Sequence, residues 1–268
     1  MALNIIVCIK QVPDTAELPK IDPVKAVAGD EGVARIVNPW DEYAIEEALR
    51  LREKHGGKVT ALTMGPERAV EALRKAVAMG ADEAILLDDP AFAGSDAGAT
   101  AYILAAAIRQ IGAFDLILCG KQSVDSDSGQ VAVGVARYLC IPPLTFVAKV
   151  RALDVAARCI TVERLLEEGR EVVQAPLPVL LSVVKEINEP RYPAFLGIRK
   201  AAKLQPPVWG VKELGLAPER VGARGSATRW TDLRKPPARA SQCEIIQGAT
   251  AAEKAARLVD RLLAEKII

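Results

Sequence analysis

Apolar and polar positions alternate along the first half of the chain in blocks of two lengths. Short, uninterrupted apolar runs recur at Ile5–Lys10, Val59–Met64, Ala84–Leu87 and Leu116–Cys119. Runs this short, with no polar beat, predict strands covered on both faces. Between them lie longer stretches with helical spacing. Asp41–Lys54 places Ala44, Ile45, Ala48, Leu49 and Leu51 on one face and is stopped by Gly56-Gly57. Glu67–Met79 ends before Gly80, a good residue for a helix end, and Asp96–Ile111 is Ala-rich with Asp96 as a possible N-cap. Ser128–Leu139 is the fourth such stretch. Strands alternating with helices of this length predict an α/β fold, a doubly wound, mostly parallel sheet with helices on both faces.

The pattern changes after Lys149. Lys149–Leu153 and Cys159–Leu165 predict a β-pair, Glu167-Glu168-Gly169 a turn, Arg170–Gln174 a further strand and Val179–Val184 another buried one. Residues 188–240 then gather many of the prolines, with scattered aromatic and basic residues and little periodicity. That is too long for an ordinary loop, and Trp209, Leu214, Leu216 and Trp230 disfavour pure disorder, so an arm that orders on a partner is expected. Residues 250–266 predict a terminal helix with Ala256, Leu258, Val259, Leu262 and Leu263 on its apolar face. The expected division is therefore 1–187, an α/β domain, and 188–268, an extended C-terminal arm with a terminal helix.

Composition narrows the chemistry. Lys+Arg is 35 against Asp+Glu 34, so charge gives no reason to propose a nucleic-acid partner. His55 is the only histidine and sits where a helix should end, which predicts a solvated residue and leaves Ser-His or Cys-His catalysis unsupported. The five cysteines form no Cys-x-x-Cys pair; Cys8 and Cys119 lie inside apolar runs and are expected to be reduced core residues of a cytoplasmic protein. The N-terminus enters a strand directly, without the look of a signal peptide, and no apolar run reaches the length of a membrane span, so no membrane insertion is expected.

In a doubly wound sheet, ligands bind beyond the carboxyl ends of the strands. Four segments fall there: Gln11–Asp14, Met64-Gly65-Pro66, Ala93–Thr100 and Gly120–Val131. The last reads Gly120-Lys121-Gln122-Ser123-Val124-Asp125-Ser126-Asp127-Ser128-Gly129-Gln130-Val131. Its small polar residues before a helix suit a phosphate, or equally an ordinary loop capped by Asp127 or Ser128. Phe92-Ala93-Gly94-Ser95-Asp96 has a weaker version of the same look, with Asp96 also readable as a plain cap. Asn38-Pro39-Trp40-Asp41-Glu42 reads either as helix initiation capped by Asn38 or Asp41, or as an edge that touches a nucleotide.

Together these segments resemble the β subunit of an electron transfer flavoprotein. The resemblance begins with Val7-Cys8-Ile9-Lys10-Gln11-Val12-Pro13-Asp14 and runs through Val37-Asn38-Pro39-Trp40-Asp41-Glu42-Tyr43-Ala44. Ala78-Met79-Gly80-Ala81-Asp82 and Gly120-Lys121-Gln122 continue it. The stretch Val162-Glu163-Arg164-Leu165-Leu166-Glu167-Glu168-Gly169-Arg170-Glu171-Val172-Val173 and Asn188-Glu189-Pro190-Arg191-Tyr192-Pro193 follow. The resemblance implies a Rossmann-like, adenine-nucleotide-binding domain in a heterodimer whose α subunit carries an FAD. Cys8, Asn38, Pro39, Trp40, Asp41 and Met64 would surround the adenosine of a second nucleotide, and Gly120–Val131 would hold its phosphates. Val131, the missing middle acid at Ser126, and Gly94-Ser95-Asp96 with Thr100 resemble the electron-bifurcating and nitrogen-fixation branch, where that nucleotide is a second FAD. Ala97-Gly98 and Ala132-Val133-Gly134 depart from the usual pattern of that branch.

The implied function is NADH-dependent bifurcation between ferredoxin or flavodoxin and an acyl-CoA dehydrogenase or quinone-linked acceptor, with oxidoreductase activity only in the complex. The alternative within the family is AMP in the second site and single-electron transfer from acyl-CoA dehydrogenases. An alternative of another class is a nucleotide-binding sensor on a related fold. Phe195 and Leu196 fall where the family docks its dehydrogenase partners.

Overall fold

The computed structural model describes residues 2–17, 33–229, 231, 237 and 243–268; Trp230 lies outside them. The chain forms two compact units, residues 1–233 and 234–268.

The first unit is built on a nine-stranded sheet. In chain order its strands are β1 (Leu3–Cys8), β4 (Gly57–Met64), β5 (Glu83–Leu87), β6 (Leu116–Gly120), β7 (Pro143–Asp154), β8 (Cys159–Leu166), β9 (Gly169–Pro176), β10 (Val179–Val183) and β11 (Val208–Trp209). A separate antiparallel pair joins β2 (Gln11–Pro13) to β3 (Arg35–Val37). The order across the large sheet is β11-β5-β4-β1-β6-β10-β7-β8-β9. Pairing is parallel from β11 to β7, and antiparallel where β7, β8 and β9 turn back on one another. The doubly wound α/β prediction is met, with an antiparallel extension at one edge.

The apolar runs form strands because both sheet faces are covered. Along β1, Leu3, Ile5 and Val7 enter one core and Ile6 and Cys8 the other; β6 splits Leu116 and Leu118 from Ile117 and Cys119 in the same way. The first core is closed by α1 (Pro39–His55) and α2 (Val70–Met79), the second by α3 (Ala97–Ile111) and α4 (Val131–Leu139). The five apolar positions predicted to face inward on α1 are all buried. Gly134 of α4 lies so close to α3 that an added Cβ would come 2.7 Å from the Ala101 Cβ. The Ala and Gly content thus brings the starts of these two helices side by side.

Three expectations change at the helix ends. Glu67–Ala69 is a 3-10 turn and α2 begins at Val70. The fourth helix begins at Val131, not Ser128, and neither Asp127 nor Ser128 caps it; residue 130 is the N-cap, without a side-chain bond. Positive φ at Asp127 and Gly129 keeps those residues out of the helix. His55 is half-buried instead of solvated, its Nε2 has no partner among the described residues, and burial lowers its pKa.

Residues 188–229 lie along the same unit. Asn188 Nδ2 donates to Glu47 Oε2 at 3.1 Å, and Arg191 Nε donates to the buried Glu46 carboxylate at 2.7 Å. Helix α5 (Phe195–Ala202) rests on α2 by placing Gly197 against the carbonyl of Ala78, and β11 extends the sheet beside β5. Gly222–Gly225 forms a short helical turn, α6. In the second unit, Thr250 caps α7 (Ala251–Ala264) by accepting from Glu253 N, and Glu253 returns a bond to Ala249 N. Leu258, Val259 and Leu263 are exposed along it. No helix among the described residues is long and apolar enough to cross a membrane.

Leu118 is fully buried in a central strand, whereas Val172 is half exposed on an edge strand. Chemical denaturation should therefore find Leu118→Ala destabilised by about 2–5 kcal/mol, and Val172→Ala within about 0.5 kcal/mol of the parent.

Candidate functional site

After β1 the chain winds outward through β4 to β5, and then returns to place β6 on the other side of β1. The winding reverses between β1 and β6, the place where α/β proteins of this class bind ligands in a crevice above the carboxyl ends of the strands. Cys8 and Cys119 are paired neighbours at these two ends. Both thiols are buried; hydrogen bonding to Cys8, then burial, push the Cys119 thiol up.

Above the crevice, the first turn of α1 holds both rims. Pro39 is at its first position, where a missing N–H costs nothing. Asn38 makes no side-chain cap; it bonds the Asp41 side chain, and both residues reach across to other segments. Asn38, 1% exposed, donates from Nδ2 to the Gln122 carbonyl at 2.8 Å and accepts from Val124 N at 3.1 Å. Asp41 Oδ2 accepts from Lys10 N at 2.7 Å, and Oδ1 accepts from Gly120 N at 3.1 Å. Burial raises the Asp41 pKa to about 7, against the opposing pull of the Lys10 amide, the Asn38 side chain and the Gly120 amide. A Cβ at Gly120 would sit 2.4 Å from Asp41 Oδ1 and 2.7 Å from the Trp40 backbone, so only glycine fits there.

The Gly120–Val131 loop is organised from within. Ser123 and Ser126 share a hydroxyl bond of 2.7 Å, and Gln122 Nε2 donates to Asp127. Lys10 Nζ pairs with Asp125 at 2.7 Å. Lys121 Nζ lies 5.1 Å from the Trp40 ring centroid and 5.9 Å from that of Phe146, a cation held between two aromatic faces. The backbone amides of Ser128, Gly129, Gln130 and Val131 have no partner among the described residues. With Gly129 at φ +61° and a helix starting behind them, these donors suit a phosphate or diphosphate. The residues present fit a nucleotide by this test.

Met64 ends β4, half-buried against the α3/α4 core. Gly94, Ser95, Asp96 and Thr100 follow the next strand, β5, in the loop and first turn that open α3, and α3 packs on α4 through Ala101 and Gly134. Asp96 caps α3 through Ala99 N at 2.9 Å, and also accepts from Ala227 N and Thr228 N at 2.8 and 3.0 Å. Burial alone would raise its pKa, but these amides hold it below the usual carboxylate range. Ser226 Oγ accepts from Asp96 N and donates toward the carbonyls of Gly94 and Gly222. The sequence reading missed Lys10, Phe146 and Ser226. Lys10 is the last residue of a predicted strand and could have been suspected; Phe146 is aimed by a bulge in β7 with φ +57°, and Ser226 comes from far along the chain, so neither leaves a local signal.

Phe195 and Leu196 are each 73% exposed, at the start of α5 and apart from the crevice, beside exposed Tyr192 and Ile198. A separate open hollow of about 660 Å³ lies against β5 and β11. It mixes Arg68 and Arg74 with Glu67, Glu71 and Asp88, and includes none of the predicted site residues. No cluster of three metal-type ligands occurs among the described residues.

A parallel sheet that reverses between β1 and β6, with a donor-rich loop entering a helix above the reversal, defines a Rossmann-like α/β protein of the doubly wound class. The family model of the electron transfer flavoprotein domain matches residues 26–214, and the chain belongs to that family. It is 44% identical over 267 residues to the electron transfer flavoprotein subunit beta of Thermoanaerobacterium thermosaccharolyticum, covering 99% of this chain and 100% of that one. It is 42% identical to protein FixA of Azorhizobium caulinodans, covering 98% and 93%. It is also 42% identical to the caffeyl-CoA reductase-Etf complex subunit CarD of Acetobacterium woodii, covering 99% and 100%.

Gly120→Ala should force α1 and β6 apart, lowering stability by about 1–3 kcal/mol in denaturant titrations. A stability profile of Asp41→Asn tests the buried acid. Its raised pKa means that the native state holds a proton the unfolded chain has released, so Asp41 costs stability as pH rises from about 4 to about 7. The melting temperature of Asp41→Asn relative to the parent should climb across that window and level off above it.

Proposed function

We propose that this chain is the β subunit of an electron-bifurcating electron transfer flavoprotein and binds a second FAD in the crevice above β1 and β6. The observation that carries this reading is the row of unpartnered amides from Ser128 to Val131 at the start of α4, over the reversal of the sheet. Full-length similarity to a FixA protein and to a subunit of a caffeyl-CoA reductase-Etf complex supports the branch. Cys8, Asn38, Pro39, Trp40, Asp41 and Met64 border the adenosine, Gly120–Val131 binds the diphosphate, and Gly94, Ser95, Asp96 and Thr100 border the flavin end. Lys121 places a fixed positive charge at the crevice mouth. When bound, the flavin supplies hydride acceptance from NADH and division of the electron pair between ferredoxin or flavodoxin and the α-subunit FAD. The chain's own groups hold the nucleotide, exclude water and set the distance.

In this reading residues 1–187 carry the nucleotide, and residues 188–268 serve partners. The exposed stripe of Leu258, Val259 and Leu263 supports contact with an α subunit. Phe195 and Leu196 supply the apolar anchor for an acyl-CoA dehydrogenase-like protein or a quinone-linked acceptor. The complex works in the cytoplasm. A second reading, AMP in place of FAD, draws on the fact that four amides suffice for one phosphate.

Visible absorption of the purified heterodimer, with chromatography of the released nucleotides, separates the two. About two flavins per heterodimer are expected; one flavin with released AMP overturns the second-flavin reading. Phe195→Ala should slow electron transfer to the acyl-CoA-linked partner by about thirtyfold, the loss of one hot-spot residue, without changing flavin content.

A further inference from the structure

We propose that Ser226 is a positioning residue for the end of the nucleotide site beside α3, fixing the Gly94–Asp96 turn so that the chain distinguishes a flavin dinucleotide from a mononucleotide. This rests on the second-FAD reading of the crevice. Helices α3 and α4 meet near their starts, where Ala101 faces Gly134. A ligand that reaches beyond the α4 start toward α3 therefore meets the turn that opens α3. The two starts differ in charge. That of α4 has no side-chain cap, and its amides are open among the described residues. That of α3 is closed by its own carboxylate: Asp96 Oδ1 accepts from Ala99 N at 2.9 Å, and Oδ2 from Ala227 N and Thr228 N at 2.8 and 3.0 Å. An anion at the start of α3 repels a phosphate, which the uncapped start of α4 favours. The part of a ligand lying against α3 is accordingly uncharged. A flavin ring meets that condition, and AMP ends before reaching it.

The turn is held from outside. Ser226 is 9% exposed, and its Oγ accepts from Asp96 N at 2.8 Å. Its one hydrogen is offered to the carbonyls of Gly94, at 3.0 Å, and Gly222, at 2.8 Å. Ser95 Oγ accepts from Gly222 N at 3.1 Å and donates to the Phe92 carbonyl at 2.8 Å. Ala223 N donates to the Ala93 carbonyl at 3.0 Å. The two segments approach so closely that a Cβ at Gly222, where φ is +58°, would stand 2.1 Å from the Ala91 carbonyl oxygen. At position 226 a hydroxyl both accepts from one end of the turn and donates to the other. Alanine there leaves the Asp96 N–H without its acceptor and the Gly94 carbonyl without its donor. Ser226 thus acts on a ligand through Gly94 and Asp96.

The test uses the full chain with its α subunit, the α-subunit flavin left in place and the site in this chain emptied of nucleotide. FAD and AMP are titrated separately into the parent and into Ser226→Ala. Affinity for FAD should fall about tenfold in Ser226→Ala, the loss expected for one hydrogen bond, while affinity for AMP stays within about twofold. A parallel loss for both nucleotides, as general destabilisation would give, overturns the proposal, and so does an unchanged affinity for FAD. Hydrogen exchange of the parent needs no variant. FAD should slow exchange of the amides of residues 94–96 and 226–228, and AMP should leave them as they were; equal protection by the two nucleotides counts against Ser226. If the parent binds AMP and not FAD, the second-flavin reading itself fails and takes this role of Ser226 with it. That outcome is distinct from FAD binding that is indifferent to Ser226, which removes the proposal alone.

Discussion

Two parallel strand ends must be held at a fixed separation where the sheet reverses, and a single carboxylate does this. Asp41 ties the backbone leaving β1 to the backbone leaving β6, and Asn38 beside it ties down the loop that follows. The crevice depends on this because α/β sheets bind ligands only where adjacent connections diverge to opposite faces. A buried carboxylate that forms no ion pair among the described residues is an expensive tie.

The remainder of the chain supports that end of the sheet. Asp96 and Ser226 fasten residues 222–228 to the start of α3, so the wall nearest Gly94 is built from segments more than a hundred residues apart. At the other side of the unit, Arg191 lies between Glu46 and Glu53 and starts the crossing that ends in α5. Exposed Phe195 and Leu196 therefore stand on a braced helix and not on a loose loop, which lowers the ordering entropy of any docking step.

Family membership and geometry answer different questions. Similarity along nearly the whole chain assigns the family. Under the proposed nucleotide reading, the choice between one phosphate and a flavin dinucleotide turns on the region between the starts of α3 and α4, where Ala97-Gly98 open α3.

The alternation of short apolar runs with helical spacing was enough to foresee the parallel sheet, because a strand buried on both faces has no freedom to show polar positions. It also located the segments at the strand ends, and the caps at Asp96 and Thr250 follow local rules. The start of α4 was misread because Asp127 and Ser128 look like caps, while positive φ at Asp127 and Gly129 excludes them from the helix. Asn38 and Asp41 were visible as residues but not as bridges. Their side chains bond to backbone 31, 79, 84 and 86 positions away, and no local pattern encodes a partner at that separation. The order of strands, the bulge that turns Phe146 toward Lys121, and the burial that lifts Asp41 all arise only when distant segments meet and water is excluded between them.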